Sequence, residues 1–440
     1  MNTPICDFVR RYADAQPLRL HMPGHKGQGP LGIEQLDITE ISGADSLYEA
    51  SGIIAESEAN ASVLFGCPTF YSTEGSSQCI RAMLHLATLG RSRRIAAARN
   101  VHKTFLSAAA LLDLQVDWLY PDAEGSYLAC HITVEILENY FASCTEIPAA
   151  VYVTSPDYLG NMLYIDQLAE VCHRHGVLLL VDNAHGAYLR FLPNSQFPMD
   201  LGADMCCDSA HKTLPVLTGG AYLHIRDAEL AKQAKNALAL FGSTSPSYLI
   251  LQSLDAANAL LADPAYTRQL VTLSRLARGL RQQLTERGIN AGTNAYEPLK
   301  ITVYPQLYGY TGIQLAEALR NHGIECEFSD PNFLVLMLTP AITADDLQRV
   351  AHVLTALPPR KPITAIPPQI GRPEQVLSIR QALFSPAETV PVEKALGRIL
   401  AAPSVGCPPA VPIVVCGERI DENAVTAFRY YGMEFCSVIR

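Results

Sequence analysis

D-S-A-H-K-T-L, Asp208 to Leu214, is the stretch on which the reading of this chain turns. It follows the apolar run Ala203-Asp204-Met205-Cys206-Cys207, which predicts the end of a buried strand, and it precedes Pro215 and the pair Gly219-Gly220. A lysine at the lip of an apolar core is desolvated, which disfavours its ammonium and lowers its pKa. Such an amine can act as a nucleophile and form a Schiff base. Read alone, Lys212 is equally a surface lysine with its stem along a loop. Its surroundings decide between the two.

Upstream lies V-L-L-L-V-D-N-A-H-G-A, Val177 to Ala187. An apolar run ending in an aspartate predicts a central parallel strand buried on both faces. Asp182 then stands at the carboxyl end of that strand, where open α/β sheets bind their ligands. A buried carboxylate needs a charged partner or it protonates. Pyridoxal phosphate (PLP) asks a protein for a Schiff-base lysine and, in many enzymes, an acid that keeps its ring nitrogen protonated. Lys212 and Asp182 supply that pair.

The chain resembles the Orn/Lys/Arg decarboxylase family of fold type I (aspartate-aminotransferase-like) PLP enzymes, in its short form. The resemblance runs from L-H-M-P-G-H-K-G (Leu20 to Gly27) through S-A-H-K-T-L and S-T-S-P-S-Y-L (Ser243 to Leu249) to P-I-V-V-C-G-E-R-I (Pro412 to Ile420). It implies an α/β large domain with a mainly parallel sheet and smaller α+β C-terminal domains. With P-G-H-K starting at Pro23, the reading leaves no room for the N-terminal wing domain of the large family members.

Bulk properties agree. Apolar residues make up 49% of the 440 and charged ones 17%, which suits a compact α/β protein with ample core. A formal net charge of −10 without a long Lys/Arg run argues against a nucleic-acid partner. No run of eighteen apolar residues and no secretory h-region occur, so neither a membrane span nor export is expected. Twelve cysteines at irregular spacing read as free thiols of a reducing, cytoplasmic compartment, and without C-x-x-C no metal site is expected.

Along the chain, residues 1–24 form a short amphipathic helix and an arm, and 25–290 the PLP-binding large domain. A small α+β domain of β-α-β-β-α pattern covers 291–358 and starts near Asn294. Residues 359–375 are a proline-rich linker and 376–440 a C-terminal domain resembling that of the family. Helices are predicted from Ser51 to Phe65, at about Ala228–Leu240, Pro246–Leu261 and Thr267–Arg287, and after Thr73–Gln78 with Ile80, Met83, Leu84 and Ala87 as its apolar face.

The Thr73–Gln78 turn is either a well-capped helix start or an anion site made by free backbone N–H groups. By resemblance it holds the cofactor phosphate through Gly75, Ser76 and Ser77. Glu74 departs from the family's usual Asn, and a carboxylate beside a phosphate is unfavourable. Either its side chain points away or the local contact differs. The resemblance also implies that His102 stacks on the pyridine ring and that Ala184 packs on the opposite face. Ser209 and His211 would reach the phosphate, and His185 the phenolic oxygen or the substrate carboxylate. Structural roles for the histidines stay open. Thr244 and Ser245 would meet the phosphate of a neighbouring subunit, which implies a homodimer with shared sites. His25 would line the substrate pocket. Asp45 and Glu388 are candidates for the substrate's distal cation, and each equally suits a helix cap or a surface acid.

The implied reaction is PLP-dependent decarboxylation of lysine, arginine or ornithine to the amine and carbon dioxide. An aminotransferase, aldolase or lyase on the same fold is the alternative, since the pocket chooses which bond breaks. A non-catalytic binding protein and a zinc enzyme built on His102, His185 and His211 stand further off.

Overall fold

A computed structural model describes residues 1–122, 125–292, 297–403 and 409–440, so the expected boundary at Asn294 lies outside the described residues. The chain divides into two compact units. Met1–Arg91 with Ile165–Gln269 form the first, and Ser92–Tyr164 with Leu270–Arg440 the second.

Seven strands supply the large-sheet architecture: β1 (Thr69–Ser72), β2 (Arg94–Ala98), β3 (Gln115–Leu119), β4 (Ala150–Thr154), β5 (Leu178–Asp182), β6 (Met205–Asp208) and β7 (Ala221–Ile225). In the first unit they run in the order β1-β7-β6-β5. There β5 and β6 are parallel, whereas β7 is antiparallel to both its neighbours. Every residue of β6 and β7 is buried, and Leu178 alone of β5 is partly open. Burial on both faces is why these strands read as apolar runs without alternation. In the second unit β2 pairs in parallel with both β3 and β4.

The helices of the first unit follow the predicted pattern. Ile53–Phe65 ends at Gly66, which takes φ +72° as a left-handed cap. In Gly75–Thr88, Ile80, Met83, Leu84 and Ala87 are all buried. The helix expected over Ala228–Leu240 is instead two short ones, Ala228–Ala231 and Ala234–Ala239, and no glycine or proline explains the break.

The rest of the second unit holds two small antiparallel sheets. β8 (Lys300–Val303), β9 (Phe328–Ser329) and β10 (Leu334–Met337) lie in the order β8-β10-β9, with helices Gly312–Arg320 and Ala344–Ala356, which is the β-α-β-β-α pattern. The second strand of that pattern is the short β9, because only Phe328 and Ser329 pair with β10. β11 (Ala387–Pro391), β12 (Leu400–Ala402) and β13 (Phe435–Ile439) form the other sheet, over a core that includes Leu400, Ile420, Phe428 and Val438.

Candidate active site

The register of the parallel pair builds the site. Asp182 lies opposite Cys207, so both strands end at one level and the chain beyond β6 turns beside the Asp182 carboxylate. That turn is a short helix, Ala210–Thr213, carrying Lys212. The Lys212 Nζ stands 3.2 Å from Nε2 of His185, and both residues belong to the carboxyl-end loops of these two strands.

Asp182 is 2% exposed. Its Oδ1 accepts the Ala184 N–H at 3.2 Å and lies 3.7 Å from the Cys207 thiol. Burial pushes the Cys207 thiol well up, and the Asp182 charge adds to this, so the sulfur keeps its proton and donates it to the carboxylate. Ala184 and His185 are buried just beyond the strand.

Two glycines bring the lysine turn and the anion turn together. The Gly75 N–H donates to the Gly219 carbonyl at 2.7 Å, and the His211 N–H donates to the Gly220 carbonyl at 3.1 Å. Gly219 has φ +101°, and a Cβ there would lie 2.8 Å from the Thr73 carbonyl oxygen. A side chain at 219 would therefore force the two turns apart. Across this junction the Ser209 hydroxyl donates to Ser76 Oγ at 2.7 Å. Burial lowers the His211 pKa and the Lys212 charge lowers it further, against the hydrogen bond to Gly220.

Glu74 resolves the question posed by its charge. No side chain caps the helix Gly75–Thr88, and the Glu74 carboxylate instead accepts the backbone N–H of Ser243. It is thereby tied to the S-T-S-P loop, whose Thr244 and Ser245 are exposed.

Several residues that support the site carry no motif of their own. Asn183, fully buried, donates through Nδ2 to Asp208 Oδ1 at 2.6 Å. The other Asp208 oxygen meets His224 Nε2 at 3.1 Å, with both side chains at 0% exposure. Burial alone would lower the His224 pKa, but the charge and hydrogen bond of Asp208 outweigh it and raise the value to about 9. Cys206, Asp208 and His224 offer ligand atoms within 4.8 Å of one another. His224 Nδ1 faces Thr69 Oγ1 at 3.0 Å, so both ring nitrogens are engaged and the group reads as a buried ion pair.

The remaining candidates have partners of another kind. Asp45 takes backbone N–H groups from Ser51, Gly52, Ile54 and Ala55 and so caps the helix Ile53–Phe65. This is the capping alternative. His25 lies 3.2 Å from Asp37 in the N-terminal arm. His102 and Glu388 belong to the second unit. His102 caps the helix Lys103–Leu112, its Nδ1 accepting the Thr104 N–H at 3.1 Å. Glu388, on β11, pairs with Arg398 at 2.7 Å on a solvent-facing surface.

Comparison with known proteins meets this geometry. The family model for the major domain of Orn/Lys/Arg decarboxylase matches residues 3–303, and that for its C-terminal domain matches residues 371–436. The chain belongs to the Orn/Lys/Arg decarboxylase family. It is thus an enzyme of the decarboxylase kind. It is 31% identical to an arginine decarboxylase of Halalkalibacterium halodurans, over 97% of this chain and 93% of that one. It is 29% identical to an arginine decarboxylase of Bacillus subtilis, over 96% and 92%. Among solved structures, the Francisella novicida lysine decarboxylase LdcF superposes with a TM-score of 0.83 at 18% identity, covering 100% of this chain and 81% of that one. SPT with PLP superposes with a TM-score of 0.56 at 15% identity, covering 69% and 75%. The fold of this family member is therefore fold type I, a large, mostly parallel sheet with small antiparallel sheets. Among the described residues no helix is long and apolar enough to cross a membrane.

Proposed function

We propose that this chain decarboxylates a basic amino acid with PLP, releasing carbon dioxide and the amine. The observation that carries the reading is the Lys212–His185 contact at the ends of β5 and β6, beside the buried Asp182. The residues present suit PLP: a primary amine at Lys212, a buried carboxylate at Asp182, and the hydroxyls of Ser76 and Ser209 where the helix Gly75–Thr88 opens.

Bound, PLP supplies a ring that accepts the electron pair left when carbon dioxide departs. Asp182 would hold a proton at the ring nitrogen, its own charge kept in place by the Ala184 N–H. Lys212 would hold the cofactor covalently through its amine, and His185 would orient that amine and share its proton. Ser76, Ser77, Ser209 and the helix terminus would bind the phosphate, with His211 beside them. Asn183 and Asp208 would brace the loop behind Asp182. His102 would stack on the ring, and Thr244 and Ser245 would serve the partner's site in a homodimer. The exposure of that loop supports the last reading.

The relatives matched along nearly the whole chain include arginine decarboxylases, so arginine is the first substrate to try. The test supplies PLP and measures carbon dioxide and amine from arginine, lysine and ornithine, with borohydride reduction to locate the cofactor. Product from at least one substrate and label at Lys212 are expected. Label at another lysine, or transamination without carbon dioxide, would overturn the proposal.

A further inference from the structure

The second unit contains a polar cavity of about 290 Å³ at the carboxyl ends of β2 and β3. Its walls come from Arg99 and Asn100 after β2, Tyr120–Asp122 after β3, the proline-rich connector at 369–372, and Pro412–Ile413. The size lies near the lower end of small-molecule pockets, ~300 Å³.

Two lining residues hold buried polar atoms without a partner among the described residues. Asn100, 3% exposed, donates Nδ2 to the Leu128 carbonyl at 3.4 Å, while its Oδ1 accepts nothing. Arg99 donates through Nη2 to Glu418 at 2.9 Å and through both Nη groups to the carbonyls of Pro412 and Ile413, yet its Nε–H is unmet. A buried donor and a buried acceptor left unmade are both costly, and a structure that keeps them together calls for an explanation.

The charges narrow the choice of ligand. Arg99 is paired with Glu418, whose side chain is 1% exposed, and the wall carries one acid, Asp122, as well as Arg372. A polyanion would therefore find no excess positive charge. A molecule carrying one carboxylate and one ammonium meets an unmet donor and an unmet acceptor at once. The Arg372 guanidinium lies 4.8 Å from the Tyr120 ring centroid, a stacking that holds its fork at the wall. Ile370, Pro412 and Ile413 leave an apolar side.

We infer that this cavity binds a free amino acid with an apolar side chain. Its carboxylate meets Arg372 and the Arg99 Nε–H, and its ammonium meets Asn100 Oδ1 and Asp122. The inference stands on residues of the second unit alone and does not depend on which reaction the enzyme performs.

The chain carries its own reporter. Trp118 is its sole tryptophan, and the Arg99 guanidinium lies 5.3 Å from the Trp118 ring centroid. The experiment titrates the purified, PLP-loaded protein with L-leucine, reading Trp118 emission and equilibrium dialysis of labelled leucine together. Saturable binding with a change in emission is expected. Loss of one charge-assisted contact weakens such binding by at least about tenfold. That loss is expected for 3-methylbutylamine, which lacks the carboxylate, for 4-methylpentanoate, which lacks the amine, and for leucine with Arg372→Ala. Arg372 is exposed on the connector, so this variant should fold, and Arg372→Lys should recover part of the affinity. No saturable dialysis of leucine would overturn the inference. So would equal affinity for either truncated analogue, or leucine binding unchanged by Arg372→Ala.

Discussion

Nε2 of His185 lies 3.2 Å from the amine of Lys212. An ammonium can only donate, so His185 must accept at Nε2 and carry its proton elsewhere whenever Lys212 is charged. The lysine thus sets the tautomer of the histidine, and the histidine fixes where the amine points.

Replacing His185 removes this control without removing the amine. His185→Ala should still take borohydride label at Lys212, but kcat should fall by about ten- to a hundredfold, the range of a lost proton-transfer or orienting partner. Side-by-side label stoichiometry and steady-state kinetics check this. Full activity would make His185 a packing residue only.

Asp182→Asn keeps the shape of the site and the acceptor for the Ala184 N–H. A neutral amide cannot hold a proton at the ring nitrogen by charge. Turnover should fall by on the order of a hundredfold or more, equivalent to about 2.7 kcal/mol in the barrier. Near-normal turnover with bound cofactor would argue that ring protonation is not its role.

His224 links stability to pH. Its pKa, raised to about 9 by Asp208 against burial, lies above its ordinary value near ~6.5. A histidine raised in this way stabilises the fold fully below ~6.5, and that share is lost as pH rises through about 9. Thermal unfolding followed across this window should show a decline of up to ~3 kcal/mol. His224→Gln should flatten that decline. An identical slope in the variant would assign it to other groups.

Shared sites have a genetic signature. Chains bearing Lys212→Ala, mixed with chains altered at Thr244 and Ser245, would give heterodimers with one site carrying both lesions and one intact. Activity should return to about a quarter of wild type for random pairing under two-fold symmetry. A fully active monomer, or no recovery despite proven subunit exchange, would show that each site is built from one chain.

Much of the strand layout around Asp182 is legible in the sequence because local pattern and tertiary burial coincide there. The run at 177–182 predicts β5 with Asp182 at its end, whereas the close approach at Gly219 appears only in the structure. The Asp208–His224 pair is invisible at that level, since it depends on the antiparallel register that sets Cys206 opposite His224. Asp45 shows a different limit. In sequence this acid suits a substrate contact and a helix cap equally, and only the helix starting at Ile53 reveals what its oxygens hold. The second-unit cavity joins residues near 99, 120, 370 and 412, a spacing too long for any motif to record.

Two helices of the first unit begin under opposite electrostatic conditions. Asp45 closes the beginning of Ile53–Phe65 with a carboxylate from the chain itself. At Gly75–Thr88 the Glu74 carboxylate is turned toward Ser243, and the first turn contains no acid. A helix start carries roughly half a positive charge, which favours an anion within the first turn. One helix start is thus closed by the chain itself, whereas under the proposed function PLP would act at the other as a removable cap. Loss of the cofactor should then fray the beginning of one helix while leaving the buried strands behind it intact.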